Sequence, residues 1–238
     1  MPVAARGVLI DLDGTLLDTV PDLAAAVNAM RSDLGRAPLP VEQVAAYVGK
    51  GADVLVHRSL TEALDGRAEP AEFERGKASF YMHYRRENGR QAVVFPGVRD
   101  AIALLRERGL ALACVTNKPR EFTVELLQRV GLDGFDAIVT GDDTVEKKPH
   151  PAPMLHACRL LHVRPDEAAM VGDSENDVLS ARAAGCRVIV VETGYNEGRP
   201  VSELDADAIV PALLDAARLI EPLHASSQVD ETTRDESR

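Results

Sequence analysis

An apolar run at Gly7–Ile10 stops abruptly at Asp11-Leu12-Asp13-Gly14-Thr15, which predicts a buried strand opening into a polar loop. Leu23, Val27, Met30 and Leu34 then fall on one helical face, and Thr19-Val20-Pro21-Asp22 ahead of them offers an N-cap, an early proline and a first-turn acid. Further helical patterns cover Val41–Val48, Ala52–Leu64 and Ala71–Arg86, with no strand pattern between them. From Val93 the period changes. Val98, Ile102 and Leu105 form a helical stripe closed by Gly109, and from there strands at Leu110–Val115, Ala137–Thr140, Ala168–Val171 and Arg187–Val191 alternate with helices at Phe122–Val130, Ala152–Leu161 and Val178–Ala184. A last strand at Ala208–Val210 and a helix at Ala212–Ile220 complete the pattern. Strand–helix alternation of this kind predicts an α/β fold with a parallel sheet covered by helices on both faces. The all-helical stretch reads as an insertion, giving a core of residues 1–16 and 91–223, a helical unit of 17–90, and a polar tail of 224–238 expected to be disordered.

Composition narrows what such a fold does. The chain has 238 residues, long enough for one large domain or a core with a smaller partner, and 45% of them are hydrophobic, enough for a sizeable core. Its net charge of −11 speaks against broad binding to nucleic acid, whose phosphates require a basic footprint. No segment is apolar enough for a membrane span, so no membrane partner is expected. Cys114, Cys158 and Cys186 are scattered and odd in number, which fits a reducing compartment better than a disulfide framework or a zinc site. A charge at Asp11 interrupts any signal-peptide core, and a cytoplasmic protein, monomer or homodimer, is the expectation.

The candidate chemistry lies just after the predicted strands, where open α/β sheets place their sites. Asp11 and Asp13 follow the first strand, Thr116-Asn117 the second, Lys148-Pro149 lies beyond the third, and Gly172-Asp173 with Asp177 follows the fourth. Brought to one sheet edge, these groups supply carboxylates, a hydroxyl and an ammonium, a set suited to a hard divalent cation and a phosphoryl group. One carboxylate can attack phosphorus while a second protonates the leaving oxygen and then activates water. Several carboxylates would repel one another and an anionic substrate unless a divalent ion such as Mg²⁺ lay between them.

Asp11-Leu12-Asp13-Gly14-Thr15, Thr116-Asn117, Lys148-Pro149 and Gly172-Asp173-Ser174-Glu175-Asn176-Asp177 together resemble, in order, the motifs of the haloacid dehalogenase-like superfamily, phosphatase branch. Singly they are weak; jointly, each at a strand end, they are specific. Tyr47–Leu55, Phe95–Val98, Lys147–Pro153 and Thr193–Asn196 extend the similarity, in helical unit and core, to the phosphoglycolate-hydrolysing subfamily of bacteria. The resemblance implies a Rossmann-like core with a mobile all-helical cap, and a Mg²⁺-dependent phosphomonoesterase that converts 2-phosphoglycolate to glycolate and phosphate through an aspartyl-phosphate. It implies Asp11 as nucleophile and Asp13 as acid/base, with Thr116, Asn117 and Lys148 toward the substrate. The ion would sit on Asp11, the Asp13 main-chain carbonyl, Asp173 and, directly or one layer out, Asp177.

Lys50, between Gly49 and Gly51, is a candidate for reading the glycolate carboxylate, alone or with neighbouring main-chain N–H groups; a plain turn ahead of the Ala52 helix is the competing account. The six histidines, at 57, 83, 150, 156, 162 and 224, show no ligand pattern and read as structural or surface residues. Cys114 reads as a small buried apolar residue. A phosphatase or pyrophosphatase for another small substrate, a phosphomutase, or a non-enzymatic binding protein on the same scaffold are the alternatives.

Overall fold

The structure is a computed structural model that describes residues 2–223; the tail expected to be disordered and His224 lie outside the described residues. In chain order, β1 (Val3–Ala5), β2 (Gly7–Ile10) and β3 (Leu17–Asp18) lead into four helices: α1 (Val20–Asp33), α2 (Val41–Tyr47), α3 (Ala52–Thr61) and α4 (Pro70–Glu87). After β4 (Val93–Val94) come α5 (Val98–Glu107), β5 (Ala111–Val115), α6 (Arg120–Arg129), β6 (Ala137–Val139), α7 (Ala152–Leu160) and β7 (Ala168–Gly172). The chain closes with α8 (Glu175–Ala184), β8 (Arg187–Val191), β9 (Ala208–Val210), α9 (Leu213–Leu219) and β10 (Ile220–Pro222).

Six strands form one sheet in the order β6-β5-β2-β7-β8-β9, with every neighbouring pair parallel. Ile10 pairs with Cys114 on one side and Val171 on the other, so β2, β5 and β7 end level, and the polar residues that follow them emerge side by side. From β2 the chain runs outward through β5 to β6, then crosses back to β7 on the other side of β2, making the switch point at which sheets of this kind open a crevice. Alternation along the strands builds two cores: Val8, Ile10, Leu112, Cys114, Ala169 and Val171 face one side with α5 and α9, whereas Leu9, Ala113, Val115, Ala168 and Met170 face α7 and α8.

The helices α1–α4 make a third cluster of their own around Val27, Met30, Val56 and Phe80, all fully buried, each side chain worth roughly 1.5–3 kcal/mol of burial. Phe122 of α6 is the one buried residue it takes from beyond residue 90. The helical segment leaves the sheet layer and returns through β3 and β4, which pair antiparallel.

Three local features depart from the sequence reading. Thr19 precedes α1 but makes no side-chain cap; its hydroxyl donates instead to Asp13 Oδ1 at 2.7 Å. Asp22, read as a first-turn acid, is buried and accepts hydrogen bonds from the main-chain N–H groups of Gly89, Gln91 and Ala92 at 2.7, 2.8 and 3.2 Å. It therefore staples the outgoing helix to the returning chain. The helix predicted to reach Leu64 ends at Thr61, where Glu62 takes a left-handed conformation (φ 57°). Two elements carry no periodic signal at all: β1 and β10, three residues each, pair parallel at opposite ends of the chain.

Candidate active site

Asp11 leaves β2 at the crevice with its carboxylate 7% exposed. Lys148 Nζ stands 2.8 Å from Asp11 Oδ1 and 2.7 Å from Asp177 Oδ1, and donates to the Val115 carbonyl at 2.9 Å. That ammonium is the one group set against the buried Asp11 Oδ1 among the described residues. Asp173, after β7, accepts from the Thr15 hydroxyl at 2.9 Å and from the Tyr195 N–H at 2.6 Å. Asp177, fully buried in the first turn of α8, closes a capping box: its Oδ2 accepts from the Ser174 N–H and hydroxyl at 3.2 and 2.8 Å. Asp177 thus caps its helix with one oxygen and turns the other to Lys148.

Glycine makes this density possible at two points. At Gly14 (φ 92°) and at Gly194 a Cβ would overlap the Asp173 carboxylate, so only a bare main chain lets the loops after β2 and β8 close on it.

Asp11, Asp173 and Asp177 offer carboxylate oxygens within 4.8 Å of one another. Burial pushes the Asp11 carboxyl up to about 7, with Asp177 adding to the rise and Lys148 opposing it. Burial, then the charges of Asp11 and Asp177, push Asp173 well above the usual carboxylate range. Burial disfavours the Lys148 ammonium, yet Asp11 and Asp177 outweigh it and raise its pKa. Three carboxylates against one ammonium leave negative charge uncompensated, and Asp11 and Asp177 must share that ammonium. A hard divalent cation would satisfy both, so the residues present fit one.

Asp13 sits beside Asp11 in a different environment. Its Oδ1 accepts from Thr19 and, at 3.0 Å, from the ammonium of Lys118, a side chain only 3% exposed. Sequence reasoning passed over Lys118; the signal was its place directly after Thr116-Asn117 at a strand end. Thr116 is buried at the same edge, its hydroxyl accepting from the Lys118 N–H at 3.2 Å.

Asn117 is fully committed to main chain. It donates to the Gly49 and Lys148 carbonyls at 3.0 and 2.9 Å and accepts from the Lys148 N–H at 2.9 Å. It clamps the Lys148 loop to the helical layer, and its amide has little left for a substrate. Lys50 is placed elsewhere than a substrate-reading role requires. Gly49 and Gly51 line the crevice, but the Lys50 ammonium turns to Glu197 Oε1 at 2.7 Å, which also receives the buried Arg58 at 2.6 Å. Glu197 lies in the loop after β8, so this ion-pair cluster ties the helical layer to the sheet layer.

The crevice between the layers is narrow and partly open to solvent. Asp11, Asp13, Thr116, Asn117 and Lys118 form its floor; Leu23, Val48, Leu55, Phe80 and Tyr84 form a largely apolar roof. Cys114, below the floor, is fully buried, which raises its thiol pKa and keeps it an inert packing residue. No helix among the described residues is long and apolar enough to cross a membrane.

Known proteins share this arrangement. A phosphoglycolate phosphatase of Nitrosospira multiformis is 48% identical over 221 residues, which is 92% of this chain and 97% of that protein. One from Thiobacillus denitrificans is 46% identical over 220 residues, again 92% and 97% of the two chains. The crystal structure of a predicted phosphoglycolate phosphatase from Haemophilus somnus shares the fold with a TM-score of 0.85 at 32% identity, covering 90% of this chain and 97% of that one. The sequence model of the haloacid dehalogenase-like hydrolases matches residues 5–185, from β1 to the end of α8, and so takes in all the strand-end clusters. With motifs, sheet order and crevice in agreement, the chain belongs to the haloacid dehalogenase-like hydrolase family.

Proposed function

We propose that the protein is a Mg²⁺-dependent phosphomonoesterase that hydrolyses 2-phosphoglycolate to glycolate and phosphate, with Asp11 as the nucleophile. The observation that carries this reading is the Asp11 carboxylate at the floor of the crevice, set against Lys148 and clustered with Asp173 and Asp177, while the other floor carboxylate, Asp13, is separately held. Phosphoglycolate phosphatases at 46–48% identity support the substrate.

In this reading Asp11 attacks phosphorus in line and becomes an aspartyl-phosphate, while the ester oxygen departs with a proton from Asp13. Asp13, ionised again, takes a proton from the water that hydrolyses the acyl phosphate. Lys148 holds the Asp11 carboxylate in its attacking orientation, and Thr19 with Lys118 keeps Asp13 aimed at the leaving oxygen. Residues 17–90 act as the cap, and their roof keeps bulk water from the acyl phosphate. The carboxylates of Asp11, Asp173 and Asp177 would hold Mg²⁺. When bound, the ion neutralises the charge that otherwise sets the nucleophile against the phosphoryl oxygens.

Phosphate release from a panel of small phosphomonoesters, with and without Mg²⁺ after chelation, tests the proposal. The expected result is the highest kcat/KM for 2-phosphoglycolate, loss on chelation, recovery with Mg²⁺, and no release by folded Asp11→Asn enzyme. Metal-independent release, or an Asp11→Asn variant near the parent rate, would overturn the mechanism; a flat panel would overturn the substrate.

A further inference from the structure

The crevice contains two polar groups that the chemistry above leaves with unused hydrogen-bonding capacity, Lys118 on its floor and Tyr84 on its roof. A lysine ammonium has three N–H donors. Among the described residues, that of Lys118 makes one hydrogen bond, to Asp13 Oδ1 at 3.0 Å, and sits 5.0 Å from the centre of the Tyr84 ring. Among the described residues, the Tyr84 hydroxyl, on a residue 1% exposed, completes no hydrogen bond of good geometry and interacts only with that neighbouring ammonium. Burial pushes the Tyr84 phenol up to about 12, so it is a neutral donor at physiological pH. A buried hydroxyl whose donor is unspent costs stability, which a bound acceptor would recover.

The surroundings fix the kind of acceptor. Leu23, Val48, Leu55 and Phe80 offer it no competing polar contact, and among the described residues Lys118 is the only cationic side chain that lines the crevice, the Lys147 ammonium approaching Gly51 without lining it. Of the other lysines near the site, Lys148 spends its donors on Asp11, Asp177 and the Val115 carbonyl. Lys50 is held by Glu197 outside the crevice. Position agrees with charge. Lys118 lies beside Asp13, which protonates the ester oxygen, and in 2-phosphoglycolate a single methylene separates that oxygen from the carboxylate.

From this geometry we infer that Lys118 and Tyr84 form a carboxylate subsite, one group from each layer, that selects an anionic leaving group such as glycolate. The inference rests on the phosphomonoesterase reading above and deepens it. Because Tyr84 belongs to α4 and Lys118 follows β5, the subsite is complete only when the helical layer lies against the sheet layer. Substrate selection is thereby coupled to the exclusion of water.

Ethyl phosphate keeps the ester and the chain length but replaces the carboxylate with a methyl group. The readout is the ratio of kcat/KM for 2-phosphoglycolate to that for ethyl phosphate, measured with Mg²⁺ on the full chain. A charge-assisted contact predicts that Lys118→Gln lowers this ratio about 100-fold, and a neutral one that Tyr84→Phe lowers it about 5-fold. Tyr84→Phe removes only an oxygen, so it remains informative should Lys118→Gln fold poorly. If both variants lose activity on the two esters by the same factor, the residues act through Asp13 or through packing and the subsite is overturned, while the substrate reading stands. A parent enzyme that hydrolyses ethyl phosphate as well as 2-phosphoglycolate would overturn both.

Discussion

The two walls of the crevice are built on opposite plans. At the sheet edge, charged and polar side chains are packed so tightly that nearly every oxygen has a protein donor: Asp173 is held by Thr15 and Tyr195, and Asp177 by Ser174 and Lys148. The helical wall is aliphatic and aromatic, with the Tyr84 hydroxyl as its polar atom. The first wall is positioned by the level ends of parallel strands, so its chemistry depends on main-chain register. The second is positioned by side-chain packing within α1–α4, so its shape can vary without moving the carboxylates. The two layers meet where Lys118 of the first stands against Tyr84 of the second.

That contrast can be broken most severely at Gly194. A Cβ there meets the Asp173 carboxylate, and displacing a group of the site by about 1 Å costs about 100-fold in rate. Gly194→Ala should therefore cut kcat/KM about 100-fold while the melting temperature changes little; a near-parent rate would show that the sheet edge tolerates displacement after all. Asp22 tests the other layer. Asp22→Ala strands three main-chain N–H groups and should lower stability by about 3 kcal/mol in denaturant unfolding. At temperatures where that variant remains folded, its activity should fall far less than that of Gly194→Ala. Equal losses of activity in the two variants would erase the division of labour.

The smallest effect belongs to the ion pairs that join the layers. Burial raises the Glu197 carboxyl, but hydrogen bonds from Lys50 and Arg58 outweigh it and hold the group below its ordinary 4.5. The stabilisation is therefore fully present above 4.5 and is lost as pH falls through the depressed native value. Glu197→Gln should cost about 1 kcal/mol near neutrality, and the gap from the parent should close on acidification below that point. A pH-independent gap would assign the effect to packing instead of charge.

Much of this was legible in the chain. The strand–helix alternation after Val93 and the polar clusters at strand ends are local patterns, and β5, β7 and β8 fall where the apolar runs lie. What was not legible depends on partners far along the chain. Lys118 gains its meaning from Asp13, Thr19 does not cap its helix because Asp13 is within reach of its hydroxyl, and Lys50 turns away because of Glu197. Tyr84, on a helix with an apolar face, reads in sequence as one more core aromatic; only the crevice reveals that its oxygen stands beside the Lys118 ammonium. The pairing of β1 with β10 is invisible for a simpler reason: three residues at each end carry too little pattern to announce a strand.

The pairing of β3 with β4 has an evolutionary consequence. Leu17 lies opposite Val94 and Asp18 opposite Val93, so the chain departs from the sheet layer and returns to it one strand spacing apart, about 4.8 Å. Such a gap is closed by a two-residue hairpin turn. The sheet layer thus has a standing socket into which modules of any length can be spliced without disturbing the register of β2, β5 and β7. Exchange of the module at this socket offers a route to new substrates by recombination, leaving the phosphoryl-handling residues untouched.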